Sequence, residues 1–120
     1  MQILIADDDE GTRLFAAKAL EAAGHTVSAC ADGQAAFQLL QGAATPFDVL
    51  ITDVQMPELS GDELAARARS QNAAIRVLYI SGFEAELDRV QATADANTAR
   101  LLKPFTLESL REAVAQLTSG

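Results

Sequence analysis

Ile3-Leu4-Ile5-Ala6-Asp7-Asp8-Asp9 runs four apolar residues straight into three carboxylates. Apolarity that is continuous rather than alternating, and rich in Ile and Val, marks a short strand covered on both faces. Val49-Leu50-Ile51 repeats the signal before Thr52-Asp53, and Val77-Leu78-Tyr79-Ile80 repeats it before Ser81. Thr26–Cys30 and Ala99–Leu102 are weaker versions, so five strands are expected.

Between these runs the period becomes helical. Phe15, Ala16, Ala19, Leu20 and Ala23 define one apolar face of a helix that Gly24 stops. Ala35, Ala36, Leu39 and Leu40 repeat the spacing before Gly42. Ser60, with Glu63 three residues on, has the spacing of a capping box and opens a helix through about Ser70. In the last segment Leu107, Leu110, Val114 and Leu117 share a stripe, with Thr106 as its cap and Phe105 placed to staple onto Leu110. The segment Glu84–Ala96 is the weakest helix. Its larger apolar residues are Leu87 and Val90, set among acids, so it is expected to make few core contacts. Strands that alternate with helices give a parallel sheet with right-handed crossovers and helices on both faces. The expected fold is therefore α/β, a doubly wound five-stranded parallel sheet, with residues 1–120 as one domain.

Composition narrows the function. Apolar residues make up 49% of the 120, charged residues 22%, and the net charge is −8. That balance excludes disorder, and it leaves nothing to neutralise a nucleic-acid backbone or to bind an acidic membrane surface. The single cysteine, Cys30, excludes an internal disulfide and Cys-rich zinc sites, and reads as a small buried side chain. No apolar stretch approaches the roughly 20 residues of a membrane span, and no basic region precedes the first strand as in a signal peptide. A cytoplasmic protein is expected.

The acids sit at strand ends. In an open α/β sheet, ligands bind beyond the C-terminal ends of the strands, near the point where strand order reverses. Neighbouring strands lie only ~4.8 Å apart. If strands one and three are adjacent, Asp7, Asp8 and Asp53 converge on one pocket. Carboxylates that close must protonate or hold a cation, and the hard ion Mg²⁺ fits best. An Asp after a strand is often only a helix cap, which is the expected role of Asp9 and an equal alternative for Asp7 and Asp8. Ser81 and Lys103 tip the balance, since they close the fourth and fifth strands and point a hydroxyl and an ammonium into the same mouth. Together these groups suit phosphoryl transfer. Asp8 and Asp53 can hold Mg²⁺ with the backbone carbonyl of Gln55, Lys103 and Ser81 can take the other phosphoryl oxygens, and Asp53 can act as nucleophile.

With these residues in place, the chain resembles the receiver domain of two-component response regulators, which are CheY-like. The motifs are Asp7-Asp8, Asp53 with Met56-Pro57 and Gly61, Ser81, and Lys103-Pro104-Phe105. The resemblance implies a flavodoxin-like (βα)₅ sheet of strand order 2-1-3-4-5 and a cis Lys103-Pro104 bond. It implies a signalling switch rather than an enzyme acting on a separate substrate. Asp53 would accept a phosphoryl group from a sensor histidine kinase or phosphotransfer protein in a Mg²⁺-dependent reaction, with Asp7 contributing through water. Ser81 would then move toward the phosphoryl group and change the affinity for an unidentified downstream protein, the chain being a monomer or a weak dimer. No nucleic acid and no membrane is implied as partner.

The chain ends soon after the last helix, so a stand-alone receiver is expected, with a receiver cut from a hybrid kinase as the alternative. Among single-domain members it is similar to CpdR-type regulators, short adaptors that steer a protease. Arg100 departs from the family, which usually has an aromatic residue there, three positions before the lysine. A guanidinium is costly to desolvate, so Arg100 is expected to lie among Glu84, Glu86 and Asp88 and to bias the fourth helix electrostatically. The segment 93–98 also lacks the family's frequent glycine, and Gln55 and Phe83 are expected to flank the pocket mouth. Two rivals remain. Asp7-Asp8-Asp9-Glu10-Gly11-Thr12 matches the neighbourhood of the nucleophile in haloacid-dehalogenase-like phosphatases, which would make Asp7 the nucleophile. The other rival is a pseudo-receiver that binds partners without phosphorylation.

Overall fold

The computed structural model describes residues 1–91 and 97–118. Elements follow in strict alternation: β1 (Gln2–Ala6), α1 (Glu10–Ala22), β2 (Thr26–Cys30), α2 (Gly33–Gly42), β3 (Val49–Asp53), α3 (Gly61–Gln71), β4 (Arg76–Ser81), α4 (Glu84–Gln91), β5 (Thr98–Leu102) and α5 (Leu107–Thr118). All pairings are parallel, in the order β2-β1-β3-β4-β5. The last five residues expected in the fourth helix, and most of segment 93–98, lie outside the described residues. Among the described residues, no helix is long and apolar enough to cross a membrane.

Strand side chains alternate between faces, so each buried strand feeds two cores. Ile3, Ile5, Val49, Ile51, Leu78 and Ile80 pack on one side against Ala16 and Leu20 of α1 and Leu110, Val114 and Leu117 of α5. Leu4, Ala6, Leu50, Val77 and Tyr79 face the other side, against Ala36 of α2, Leu64, Ala65 and Ala68 of α3, and Leu87 and Val90 of α4. Cys30 is buried at the end of β2, and burial raises its thiol pKa.

Helix ends follow local chemistry. Gly24, at φ +96°, closes α1 with paired bonds from its own N–H to Glu21 O and from His25 N–H to Leu20 O. That left-handed turn is one only glycine adopts without strain. Ser60 Oγ accepts from Glu63 N–H at 3.4 Å and donates to the Glu63 carboxylate. Thr106 caps α5 in a reciprocal box whose partner is Ser109: each side chain bonds the other residue's backbone N–H.

The expected helix faces need correction at their edges. Phe15, Leu39 and Leu107 are 43%, 41% and 37% exposed, and Ala23 is exposed beyond the end of α1. Each satisfies the helical period but lies on the solvent side of its stripe. Phe15 instead meets Phe105 across the surface, ring centroids 6.1 Å apart.

Candidate functional site

Sheet register builds the site. β1 pairs with β3 so that Ala6 lies opposite Thr52, and one residue further on Asp7 comes level with Asp53. Asp53 is the last residue of β3 and Ser81 the last of β4, each one step further into its strand than the apolar runs suggest. Lys103 follows β5 directly, its N–H bonded to Ser81 O at 2.7 Å. The Lys103-Pro104 bond is cis.

Gly61 lets the loop after β3 close over this end of the sheet. A Cβ there would come within 2.0 Å of Asp53 O, and the Gly61 N–H bonds Val54 O. Asp9 caps α1 by accepting from Thr12 N–H at 3.0 Å, and the Thr12 hydroxyl contact leads the effects that lower its pKa. It is a cap, as its position implied.

Lys103 Nζ lies 2.8 Å from Asp7 Oδ2 and 2.8 Å from Asp53 Oδ2. Asp7 is fully buried, while Asp53 is 9% exposed and looks onto a cavity. Asp7 Oδ1 accepts from Asp9 N–H, and its Oδ2 faces the Lys103 ammonium. Asp53 Oδ1 accepts from Gln55 N–H at 3.2 Å. Burial pushes the Asp53 carboxyl pKa up, and the Lys103 contact opposes this without cancelling it. Burial alone would lower the Lys103 pKa, yet contacts with Asp53 and then Asp7 outweigh it and hold the ammonium above its ordinary value.

Asp8 is exposed beside this pair. One carboxylate oxygen each from Asp7, Asp8 and Asp53 lies within 4.8 Å of the others. An all-oxygen donor set this tight fits a hard divalent cation. A cavity of about 340 Å³ opens beside it, lined by Asp53, Gln55, Ser81, Phe83, Glu86 and Lys103 with parts of the first and fourth loops. Gln55 and Phe83 both line it.

One feature was not legible in the sequence. The Ser81 hydroxyl donates to Glu86 Oε1 at 2.5 Å and accepts from Phe83 N–H at 3.0 Å. Glu86, expected near Arg100, is therefore a wall of the site. Arg100 is exposed and pairs with Asp88 of α4 at 2.7 Å, beside Glu84, as its expected position among the helix acids implied. A Glu five residues after a strand-end Ser gives no pattern of its own, because its reach depends on how α4 sits.

Comparison with known proteins agrees with the fold. The family model for the response regulator receiver domain matches residues 3–115. The response regulator receiver protein CpdR of Brucella abortus is 39% identical over 109 residues, 91% of this chain and 89% of that protein. The sensor kinase CckA of the same organism is 29% identical over 115 residues, which cover 96% of this chain but 12% of the kinase. A solved response regulator receiver protein from Sinorhizobium medicae superposes with a TM-score of 0.86 at 32% identity, covering 98% of this chain and 93% of that one.

Proposed function

The chain belongs to the response regulator receiver family of two-component systems, and we propose that it works there as a phosphorylation switch with Asp53 as phosphoacceptor. One observation carries the assignment. Asp53 is the acid that both touches Lys103 and faces the cavity, whereas Asp7 is shut away beneath it.

In this reading a P–O bond forms to Asp53 as the donor's P–N bond breaks, and the departing imidazole keeps the electron pair. Asp53 Oδ2 is committed to Lys103, so Oδ1, held by the longer Gln55 contact, is the oxygen left to attack. Asp8 and Asp53, with the Gln55 carbonyl, would hold Mg²⁺, and Asp7 would act through water. The ion, when bound, supplies positive charge for the phosphoryl oxygens. Lys103, already poised as a cation, turns from the bare carboxylates to the new anion. Ser81 supplies a neutral donor, and its movement reports the event to α4. The donor would be a histidine kinase or phosphotransfer protein, and the output a changed affinity for a protein partner. The protein then catalyses nothing beyond its own phosphorylation and dephosphorylation.

The test is labelling with acetyl phosphate and Mg²⁺, the modified residue being located by mass spectrometry. Asp53 should carry the phosphoryl group, and both Asp53→Asn and chelation of Mg²⁺ should abolish it. Label on Asp7 would instead identify a dehalogenase-like phosphatase. Partner binding unchanged in Asp53→Asn, without any label on the native chain, would identify a pseudo-receiver. The full burial of Asp7 speaks against the first of these rivals.

A further inference from the structure

We propose that Glu86 is a latch on Ser81, holding the proton that a phosphorylated Asp53 needs and so biasing the switch toward its resting state. The proposal rests on Asp53 being the phosphoacceptor. It concerns how readily that site is completed.

Ser81 is 1% exposed at the end of β4, and its hydroxyl carries a single proton. That proton is committed to Glu86 Oε1, while the oxygen accepts from Phe83 N–H. Glu86 comes from the first turn of α4 and lines the same cavity as Asp53 and Lys103. A phosphoryl oxygen must therefore compete with a carboxylate for one donor, and a hydrogen bond to an ionised acceptor is roughly twice as strong as a neutral one. The Glu86 charge also faces the cavity that the phosphoryl group would enter, which adds repulsion.

The consequence reaches the helix. Among the described residues, α4 buries Leu87 and Val90 as its apolar anchors, and exposed ion pairs join Arg89 to Asp62 and Arg100 to Asp88. The Ser81–Glu86 bond is thus a tether between the site and α4. When Ser81 turns to a phosphoryl group, Glu86 is released, and the first turn of α4 is free to repack. This links Asp53 to α4 without an inward-swinging aromatic ring, which Arg100 does not supply.

The probe is beryllofluoride, an analogue of the aspartyl phosphoryl group, titrated calorimetrically in the presence of Mg²⁺. Native protein, Glu86→Ala, Glu86→Gln, Ser81→Ala and the Ser81→Ala/Glu86→Ala double variant are compared. Glu86 is half-buried on a helix surface, and Glu86→Gln keeps its volume, so the fold survives in at least one variant. Glu86→Ala should bind beryllofluoride about tenfold more tightly. Glu86→Gln should fall between it and the native chain, because the amide oxygen still accepts from Ser81 but without charge. In the Ser81→Ala background, removing Glu86 should keep only the part of the gain that comes from relieved repulsion, well short of the tenfold gained with Ser81 present. The latch is refuted if Glu86→Ala matches the native chain, or if its full gain persists without Ser81. Failure of the native chain to bind beryllofluoride at all would remove the receiver reading, and the latch with it.

Discussion

Lys103→Met tests the charge arrangement most directly. The ammonium lies 2.8 Å from both Asp7 Oδ2 and Asp53 Oδ2, and these side chains are 0% and 13% exposed. Methionine keeps the stem and removes the charge, leaving two neighbouring carboxylates without a counter-ion. Breaking a buried pair in this way costs about 3–5 kcal/mol. Partial exposure of Lys103, at 19%, and the ease of protonating Asp53 place the expected loss at the low end, about 3 kcal/mol. With a urea dependence near 2 kcal/mol per molar, the unfolding midpoint falls by about 1.5 M. The sign with pH follows from Asp53. Burial already raises its folded-state pKa, and losing Lys103 removes the main influence that lowers it. A carboxyl raised on folding favours the folded state at low pH and loses that contribution as pH rises through the raised value. The deficit of Lys103→Met relative to the native chain should therefore be largest at neutral pH and shrink as pH falls toward the ordinary carboxylate range. Mg²⁺ should stabilise the variant more than the native chain, because it replaces the missing positive charge. Urea unfolding followed by circular dichroism at pH 7 and pH 5, with and without Mg²⁺, measures all three effects. A variant within about 0.5 kcal/mol of native at pH 7, or a deficit independent of pH, would show that the ammonium does not neutralise these acids.

Asp8→Ala should leave stability without metal unchanged or slightly higher, since it removes one of three crowded carboxylates, while Mg²⁺-dependent labelling by acetyl phosphate falls about 10- to 100-fold. Undiminished labelling, quantified by intact-protein mass, would remove Asp8 from the metal site. Gly61→Ala should destabilise by about 2–3 kcal/mol and slow phosphorylation, because its Cβ would fall 2.0 Å from Asp53 O. A native urea midpoint would contradict that close approach. Arg100→Ala should cost at most ~1 kcal/mol, because both members of its pair with Asp88 are largely exposed. It should raise amide exchange in α4 while leaving β4 protected, and equal exchange in both would show that the pair does not hold the helix.

How much of this could be read from the chain depended on what kind of constraint each residue obeys. Strands buried on both faces must be apolar at every position, so Ile3–Ala6, Val49–Ile51 and Val77–Ile80 announced themselves. Their polar terminators then located Asp7, Asp53 and Ser81 at one end of the sheet, and the weaker fifth run placed Lys103 beside them. Helix stripes constrain less. Phe15, Leu39 and Leu107 satisfy the helical period, yet period alone does not say how wide the covered stripe is, and all three lie at its exposed margin. The capping partner of Thr106 was missed for a similar reason. Ser109 stands where a Glu or Gln is usual, and its hydroxyl makes the same return bond to Thr106 N–H.

Glu86 marks the deeper limit, because its role comes from the packing of one helix against one strand end. The site combines two mechanically different halves. Asp7, Asp53 and Lys103 are fixed by strand register and by the two cores that clamp the sheet, so charge there cannot relax by moving backbone. Lys103 and any added cation must meet that fixed charge instead. Ser81 belongs to the same rigid sheet, but the groups around its hydroxyl, Phe83 and Glu86, belong to the loop and first turn of α4. A new anion on Asp53 therefore cannot be accommodated by the strands, and it can be accommodated by α4. The direction in which the signal leaves the site follows from that difference in stiffness. It also explains why an exposed arginine is tolerable at position 100: the link to α4 already runs through the Ser81 hydroxyl, and Arg100 need only tune it from the surface.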